Sequence, residues 1–338
     1  MSPELIGLLG MLTLIVVLLT RMWIGIAMAV IGTLGIALIM GWGPAMSYVG
    51  TIPFREIDNY TMTVIPMFVL MGMVVAFTRM GDDLYDAAYK WIGHLRGGLA
   101  MATIIACGLL GAITGSHNVG VVTISKFAYP QMVKYKYADT LASGCIAAGA
   151  PLSILIPPSI AIIMYGILTE QPVGVLFMAG LLPGIIVMLL FIIAIYIVCT
   201  ISPESGPAGP KSTLKEKLYS LKGVLPVLIL FAVVIGGIYQ GFFTPTEAGS
   251  FGALGALVIA GVTRQLSRKN FILILKETVM TTCMVLLLLA GTFLFIRFMT
   301  VSRLPVYLVE TVAALDLSGG AVLFALAIMY IVLGFFLP

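Results

Sequence analysis

Charge is what this chain has least of. Asp, Glu, Lys and Arg make up 9% of its 338 residues against 61% hydrophobic residues, and the mean hydropathy is +1.15. There is too little polar surface here to coat a soluble globule. The net charge of +4 comes from Lys and Arg residues in short segments between apolar runs, so no nucleic-acid partner is implied. Histidine is nearly absent, with His94 and His117 alone. There is no H-E-x-x-H, no pair of carboxylates inside an apolar run, and no Ser and His at workable spacing, which argues against an enzyme and leaves no catalytic residue to name. Cys107, Cys145, Cys199 and Cys283 are far apart and lie in or beside apolar runs. Packing explains them better than a disulfide or a transition-metal site, and no cofactor is expected. Repeated segments of about ten residues alternating apolar and polar, which a membrane β-barrel needs, are missing too.

What the sequence does have is a series of apolar runs near 4–20, 23–42, 61–78, 174–200, 225–242, 247–263, 278–298 and 319–337. Most are about 17 to 25 residues long, the length at which a helix crosses roughly 30 Å of hydrocarbon. The fold class expected is all-α: a polytopic helical membrane protein in a lipid bilayer. The first run reads as a span rather than a signal peptide, because "MSPE" before it is acidic and Arg21 follows with no small-residue cleavage pattern. Trp23, Trp42 and Trp91 fall near the expected interfaces, where an anchoring role suffices.

The basic residues report orientation. If Arg21, the clusters at 79–96, 126–136 and 211–222, and the cluster at 264–276 face the cytoplasm, 15 of the 18 Lys and Arg residues are inside. Only Arg55, Arg297 and Arg303 then lie outside, as the positive-inside bias requires. The N-terminus is outside on this reading. Residues 97–125 leave one inside basic segment and arrive at another, which a single span cannot do. A re-entrant hairpin can, with one half-helix to about Ala112, a turn at "ITGSHN" and a second half-helix returning to Lys126. Gly111, Gly115, Ser116 and Asn118 suit the turn.

The next segment, about 138–168, must cross outward and contains "GAPLSILIPPSIAIIMYGIL". It reads as a helix to about Ala150, a break through Pro151 to Pro158, and a second helix from Ser159. Pro157 and Pro158 remove backbone donors and disfavour helix before them. The freed carbonyls then need protein or a watery cavity around them at membrane depth. A plain proline kink is the alternative reading. Paired with a hairpin tip, the break matches the device by which secondary transporters hold ions and anions at the midplane.

"AITGSHNVGVVTI", "ASGCIAAGAPLSILIPPSIAIIMYGILTEQPVGVLFMAGLLPG", "FFTPTEAGSFGALGALVIA" and "ETVMTTCMVLLLLAGTFLFIRFM" resemble the large membrane subunit of TRAP transporters, the tripartite ATP-independent periplasmic type, from about Met62 onward. The resemblance implies an elevator-type transporter in the bacterial inner membrane, importing organic anions such as dicarboxylates or sialic acids by Na⁺ symport. It also implies a small four-span membrane subunit and a periplasmic substrate-binding protein as partners. Two inverted repeats are expected, residues 1–200 and 224–338, joined by a cytoplasmic linker at 201–223. On that correspondence the chain stops near the tip of a second hairpin, so it is expected to be a C-terminally truncated member lacking half of its transport site.

Carried onto this sequence, the resemblance places a Na⁺ site between the hairpin tip (Gly115, Ser116, Asn118) and the break (Gly149, Ala150, Pro151), mostly through backbone carbonyls. His117, where family tips carry a small residue, either meets a carboxylate or caps backbone groups. Thr123, Ser153 and Ser159 are substrate-proximal candidates by position, although such side chains often bond the backbone one turn back. Arg297 either snorkels to the interface or helps receive an anion. Glu247 in "TPTEAG" reads as a helix cap rather than a proton carrier. Two rivals remain open: a Na⁺/dicarboxylate symporter of related fold that needs no binding protein, and a channel.

Overall fold

The computed structural model describes residues 1–115, 117–315 and 317–336, with the backbone alone at 113, 117–119, 335 and 336. In chain order the helices are α1 (Pro3–Leu19), α2 (Ile24–Met40), α3 (Trp42–Ile57), α4 (Val64–Ala76), α5 (Met80–Ile92), α6 (Gly98–Thr114), α7 (His117–Lys134) and α8 (Asp139–Gly149). There follow α9 (Leu152–Leu155), α10 (Ile160–Leu168), α11 (Val173–Ile201), α12 (Leu214–Tyr239), α13 (Pro245–Val262), α14 (Arg268–Ser302), α15 (Leu304–Ala314) and α16 (Gly319–Phe336). No strand occurs among the described residues, and the all-α expectation stands. Helices α11 to α14 are each long and apolar enough to cross a membrane. α1 and α2, at 17 residues each, sit at the short end of the range for a span.

Packing divides the chain into two units, Met1–Asn59 with Cys283–Pro338, and Tyr60–Thr282. In the first, glycines let helices touch along their backbones. A Cβ added at Gly25 would lie 2.8 Å from the Leu287 carbonyl oxygen, and one at Gly32 3.0 Å from Leu294. Phe298 of α14 fills the space left by Gly10 and Gly35, within a core of Leu14, Ile31, Ile36 and Phe295. Lipid tails are as apolar as these side chains, so close van der Waals packing, not the hydrophobic effect, holds such helices together.

In the second unit α4 and α6 are enclosed by protein. Val64, Ile65, Val69, Val74 and Val75 are at most 1% exposed, and Phe68 meets Phe177 of α11 edge to face at 6.1 Å. With the 3-10 turn Tyr60–Thr63 that runs directly into it, α4 covers nearly all of the expected span at 61–78. α11 faces the other way, presenting Leu182, Leu189, Leu190 and Ile193 outward from a helix apolar on all sides, as a lipid-facing span does. α5 is amphipathic, with Asp86 and Lys90 paired at 2.7 Å one turn apart. Burial pushes the Asp82 and Asp83 carboxyls above their usual range; Asp83 adds to this at Asp82 and Asp86 at Asp83, while Arg79 opposes it at both and Lys90 at Asp83.

Three elements depart from the sequence reading. α3 occupies a stretch between apolar runs where no element was expected. The second arm of the hairpin continues to Lys134 rather than ending at Lys126, carrying Pro130 inside it. The second half of the linker is helix, because Thr213 and Glu216 form a capping box: the Thr213 N–H donates to Glu216 Oε2 at 2.7 Å and the Glu216 N–H to Thr213 Oγ1 at 3.3 Å.

Candidate functional site

The hairpin forms where its composition puts it. α6 ends at Thr114, and Gly115 takes φ +58, the left-handed conformation that ends helices and that a Cβ would strain. Its N–H closes the helix on the Gly111 carbonyl at 2.8 Å, and α7 starts at His117. Ser116 and the side chains of His117 and Asn118, named above as site candidates, lie outside the described residues.

The broken helix also forms. α8 stops at Gly149; Pro151 opens a single turn, α9; Ile156 is extended, as the residue before a proline should be. Pro157 and Pro158 are joined by a cis peptide bond. Ser159 is extended and caps α10, its hydroxyl accepting from the Ile162 N–H at 3.5 Å. The two halves are bent by 43°. One turn of helix, at 152–155, thus survives inside the break expected from Pro151 to Pro158.

Hairpin and break meet. The Ile160 N–H, at the start of α10, donates to the Gly115 carbonyl at 3.3 Å. A Cβ on Gly115 would sit 3.1 Å from the Pro158 carbonyl oxygen. The negative end of one helix dipole therefore faces the positive end of another. From this junction the two chains run side by side. A Cβ on Gly111 would lie 2.9 Å from the Ser153 backbone nitrogen, and one on Gly149 2.9 Å from Cys107 Sγ. Cys107, Gly111 and Gly115 are four residues apart, about one helical turn each, so the break is laid along one stripe of α6.

α11 closes the other side. A Cβ on Gly180 would be 2.8 Å from the Leu155 carbonyl oxygen, and one on Gly184 2.7 Å from Ile156 Cγ1. Gly72 of α4 likewise admits Thr114, whose carbonyl oxygen would lie 2.5 Å from an added Cβ. Gly72 of α4 and Gly180 and Gly184 of α11 were not named from the sequence as part of the site. The signal was present at 180 and 184, a G-x-x-x-G spacing that lets a backbone approach closely.

The structure brings some candidates together and keeps others apart. Gly115 adjoins Pro158 and Ser159. Ser153, 1% exposed, lies a turn lower, its hydroxyl donating to the Ala150 carbonyl at 2.8 Å. Gly149 lies a further turn away. The Ala150 carbonyl also accepts the Ser153 N–H at 3.1 Å, and the Pro151 carbonyl accepts the Ile154 N–H at 2.9 Å. With two donors on it, the Ala150 oxygen has no lone pair left for a cation in this arrangement; the Gly115 oxygen, with one, does. Thr123 stands apart, on the face of α7 that meets Gly81 of α5, its methyl 3.5 Å from an added Cβ there. Glu247 is the cap expected of it: its Oε2 accepts from the Thr244 N–H and hydroxyl at 2.8 Å, and its own N–H donates to Thr244 Oγ1 at 3.3 Å.

Comparison with known proteins gives concordant results. The family described as tripartite ATP-independent periplasmic transporter, DctM component, matches residues 11–338, so the likeness extends back from Met62 through α3 and α2 into the second half of α1. The chain is 34% identical over 285 residues to the C4-dicarboxylate TRAP transporter large permease protein of Pseudomonas aeruginosa, covering 84% of this chain and 66% of that one. It is 31% identical over 297 residues to the sialic acid TRAP transporter large permease protein of Vibrio cholerae, covering 83% and 69%. With the ectoine TRAP transporter large permease protein of Halomonas elongata the identity is 32% over 273 residues, covering 80% and 64%. The chain thus spans about two thirds of the length of these relatives.

Proposed function

We propose, for a chain that belongs to the DctM component family of tripartite ATP-independent periplasmic transporters, that it acts in the inner membrane as the large permease of a three-part importer, taking up an organic anion by Na⁺ symport. A small membrane subunit and a periplasmic substrate-binding protein complete the system. The repeats related by inversion supply the elevator movement, and the substrate class is that of carboxylate-bearing solutes. Relatives named for C4-dicarboxylates, sialic acid and ectoine are consistent with a permease whose selectivity is set largely by the separate binding protein.

The observation that carries this reading is the bond from the Ile160 N–H to the Gly115 carbonyl. It joins the hairpin tip to the far side of the break, a turn beyond the carbonyls that the missing N–H groups of Pro157 and Pro158 leave without helical donors. Hard cations take such oxygens as ligands, and Gly115 and Pro158, which lie against each other at the junction, are assigned the central place, with Ala150, whose oxygen already accepts two donors, set behind them. The N-termini of α7 and α10 both start at this junction and favour a negatively charged solute. Binding of the two is coupled because each compensates the charge of the other within one low-dielectric site.

The test is uptake into proteoliposomes holding the permease and its small subunit, with binding protein outside, across a panel of labelled organic anions. Uptake is expected to require both an inward Na⁺ gradient and the binding protein. Uptake indifferent to Na⁺ would sink the coupling. Anion uptake without binding protein would point to the independent symporter, and Na⁺ flux with no solute to a channel.

A further inference from the structure

We propose that the cleft between α3 and the end of α14 binds the phosphate of an anionic phospholipid headgroup. The inference is independent of the transport reading. It needs only that the chain lie in a membrane.

The cleft, of about 410 Å³, is lined by Tyr48, Thr51, Arg55 and Glu56 from α3 and by Ile296 and Arg297 from α14, among others, all within the first packing unit. Arg297 is held in place there. Its Nη2 donates to the Tyr48 hydroxyl at 2.6 Å, and its guanidinium carbon lies 4.7 Å from the centre of the Tyr48 ring, a stacking that fixes the plane of the fork. Its Nε is buried and has no hydrogen-bond partner among the described residues. A guanidinium carries five N–H donors, and a buried donor left without an acceptor is costly. Arg55 opens onto the same cleft and is exposed. Glu56 shares the lining, yet among the described residues the one carboxylate within 4 Å of a basic group belongs to the Asp86–Lys90 pair. Two guanidiniums against one carboxylate leave the cleft positive, with paired donors shaped for a phosphate or carboxylate.

Position selects the source of that oxyanion. Ile52, Phe293 and Ile296 form apolar walls beside the charges, as a headgroup with its acyl chains attached would require. α3 carries Trp42 and Phe54, 61% and 73% exposed, and ends in Arg55, the composition of a helix lying in the interface. On the orientation implied by the basic residues, Arg55 and Arg297 both fall at the outer end of their segments. The charge therefore sits at headgroup depth.

Native mass spectrometry of the purified permease tests this with phosphatidylglycerol and phosphatidylcholine of matched acyl chains. Phosphatidylglycerol is expected to be retained about tenfold better: both lipids offer the same phosphodiester to Arg297, but the choline cation of phosphatidylcholine is repelled by the two guanidiniums of the cleft. Arg297→Gln should abolish the preference. Arg55→Gln, at an exposed position that leaves the packing untouched, should reduce it several-fold, and the rise in melting temperature given by phosphatidylglycerol should shrink in step. Equal retention of the two lipids by the wild type, or undiminished preference in Arg55→Gln and Arg297→Gln alike, overturns the proposal. Displacement of the lipid by millimolar inorganic phosphate would also overturn it, in favour of a soluble oxyanion.

Discussion

Both packing units use glycine to bring backbone against backbone, and they do so for different ends. In the first, Gly25 and Gly32 of α2 face Leu287 and Leu294 of α14, and a Cβ on Gly291 would run into Gly25 itself. Each partner is a continuous helix whose backbone bonds are made internally, so contact adds packing and nothing else. In the second, Gly108 and Gly111 of α6 and Gly180 and Gly184 of α11 receive residues 152–156, a segment that prolines have partly released from helix. There the glycines determine where unbonded oxygens come to rest. A stripe of small residues therefore says that something approaches closely, and only its partner says whether the approach is structural or functional.

The sharpest way to break the comparison is to fill the stripe in the second unit. Gly111→Val puts three carbons against the backbone of Ser153, and overpacking of this kind costs about 1 to 3 kcal/mol, the upper end being expected here. Uptake should vanish while enough folded protein survives for a melting curve. Gly291→Ala makes the matching insertion in the first unit. It should cost about 2 kcal/mol, read as a lower melting temperature, with the Na⁺ concentration for half-maximal uptake unchanged. If Gly291→Ala shifts that concentration, or Gly111→Val leaves uptake intact, the distinction between the two stripes is wrong.

Gly115→Ala sharpens the comparison at the tip. A Cβ at φ +58 costs about 1 to 2 kcal/mol from backbone strain alone. It also comes to 3.1 Å from the Pro158 oxygen and 3.3 Å from the Ile160 nitrogen, where the junction must give. The expected result is a several-fold rise in the Na⁺ requirement with a modest loss of stability. A loss of stability without any change in Na⁺ dependence would remove Gly115 from the site.

How far this was legible depended on whether a residue's local chemistry already contained the answer. The hairpin and the break were readable because Gly115, Pro157 and Pro158 act on their own backbone whatever surrounds them. Their meeting at Pro158 and Ile160, two turns of α6 from the contact at Gly149, was not readable, since it depends on how α8 to α10 lie along α6. α3 escaped because Pro44, Pro53, Arg55 and Glu56 spoil the apolar run that marks a span, whereas an amphipathic helix needs only one apolar face. The helical half of the linker could have been found from Thr213-x-x-Glu216, the pattern that recurs at Thr244 and Glu247, where Glu247 was read as a cap from its place at a helix start.

That second capping box gives the smallest expected effect and the cleanest control. Thr244 and Glu247 satisfy each other's backbone N–H groups at the entry to α13, and α13 packs along the buried helix α4 through Gly249 and Gly252, which face Met67 and Met71. Thr244→Ala removes one acceptor and should cost about 1 kcal/mol. A carboxylate that only caps a helix takes no part in moving ions. Uptake per folded molecule in Thr244→Ala, and in Glu247→Gln, should then follow the wild-type pH profile and Na⁺ dependence while the melting temperature falls by a few degrees. A pH profile displaced in Glu247→Gln but not in Thr244→Ala would mean that the carboxylate carries a proton as well as a cap, and α13 would then belong with α6 and α10 rather than with the purely structural helices.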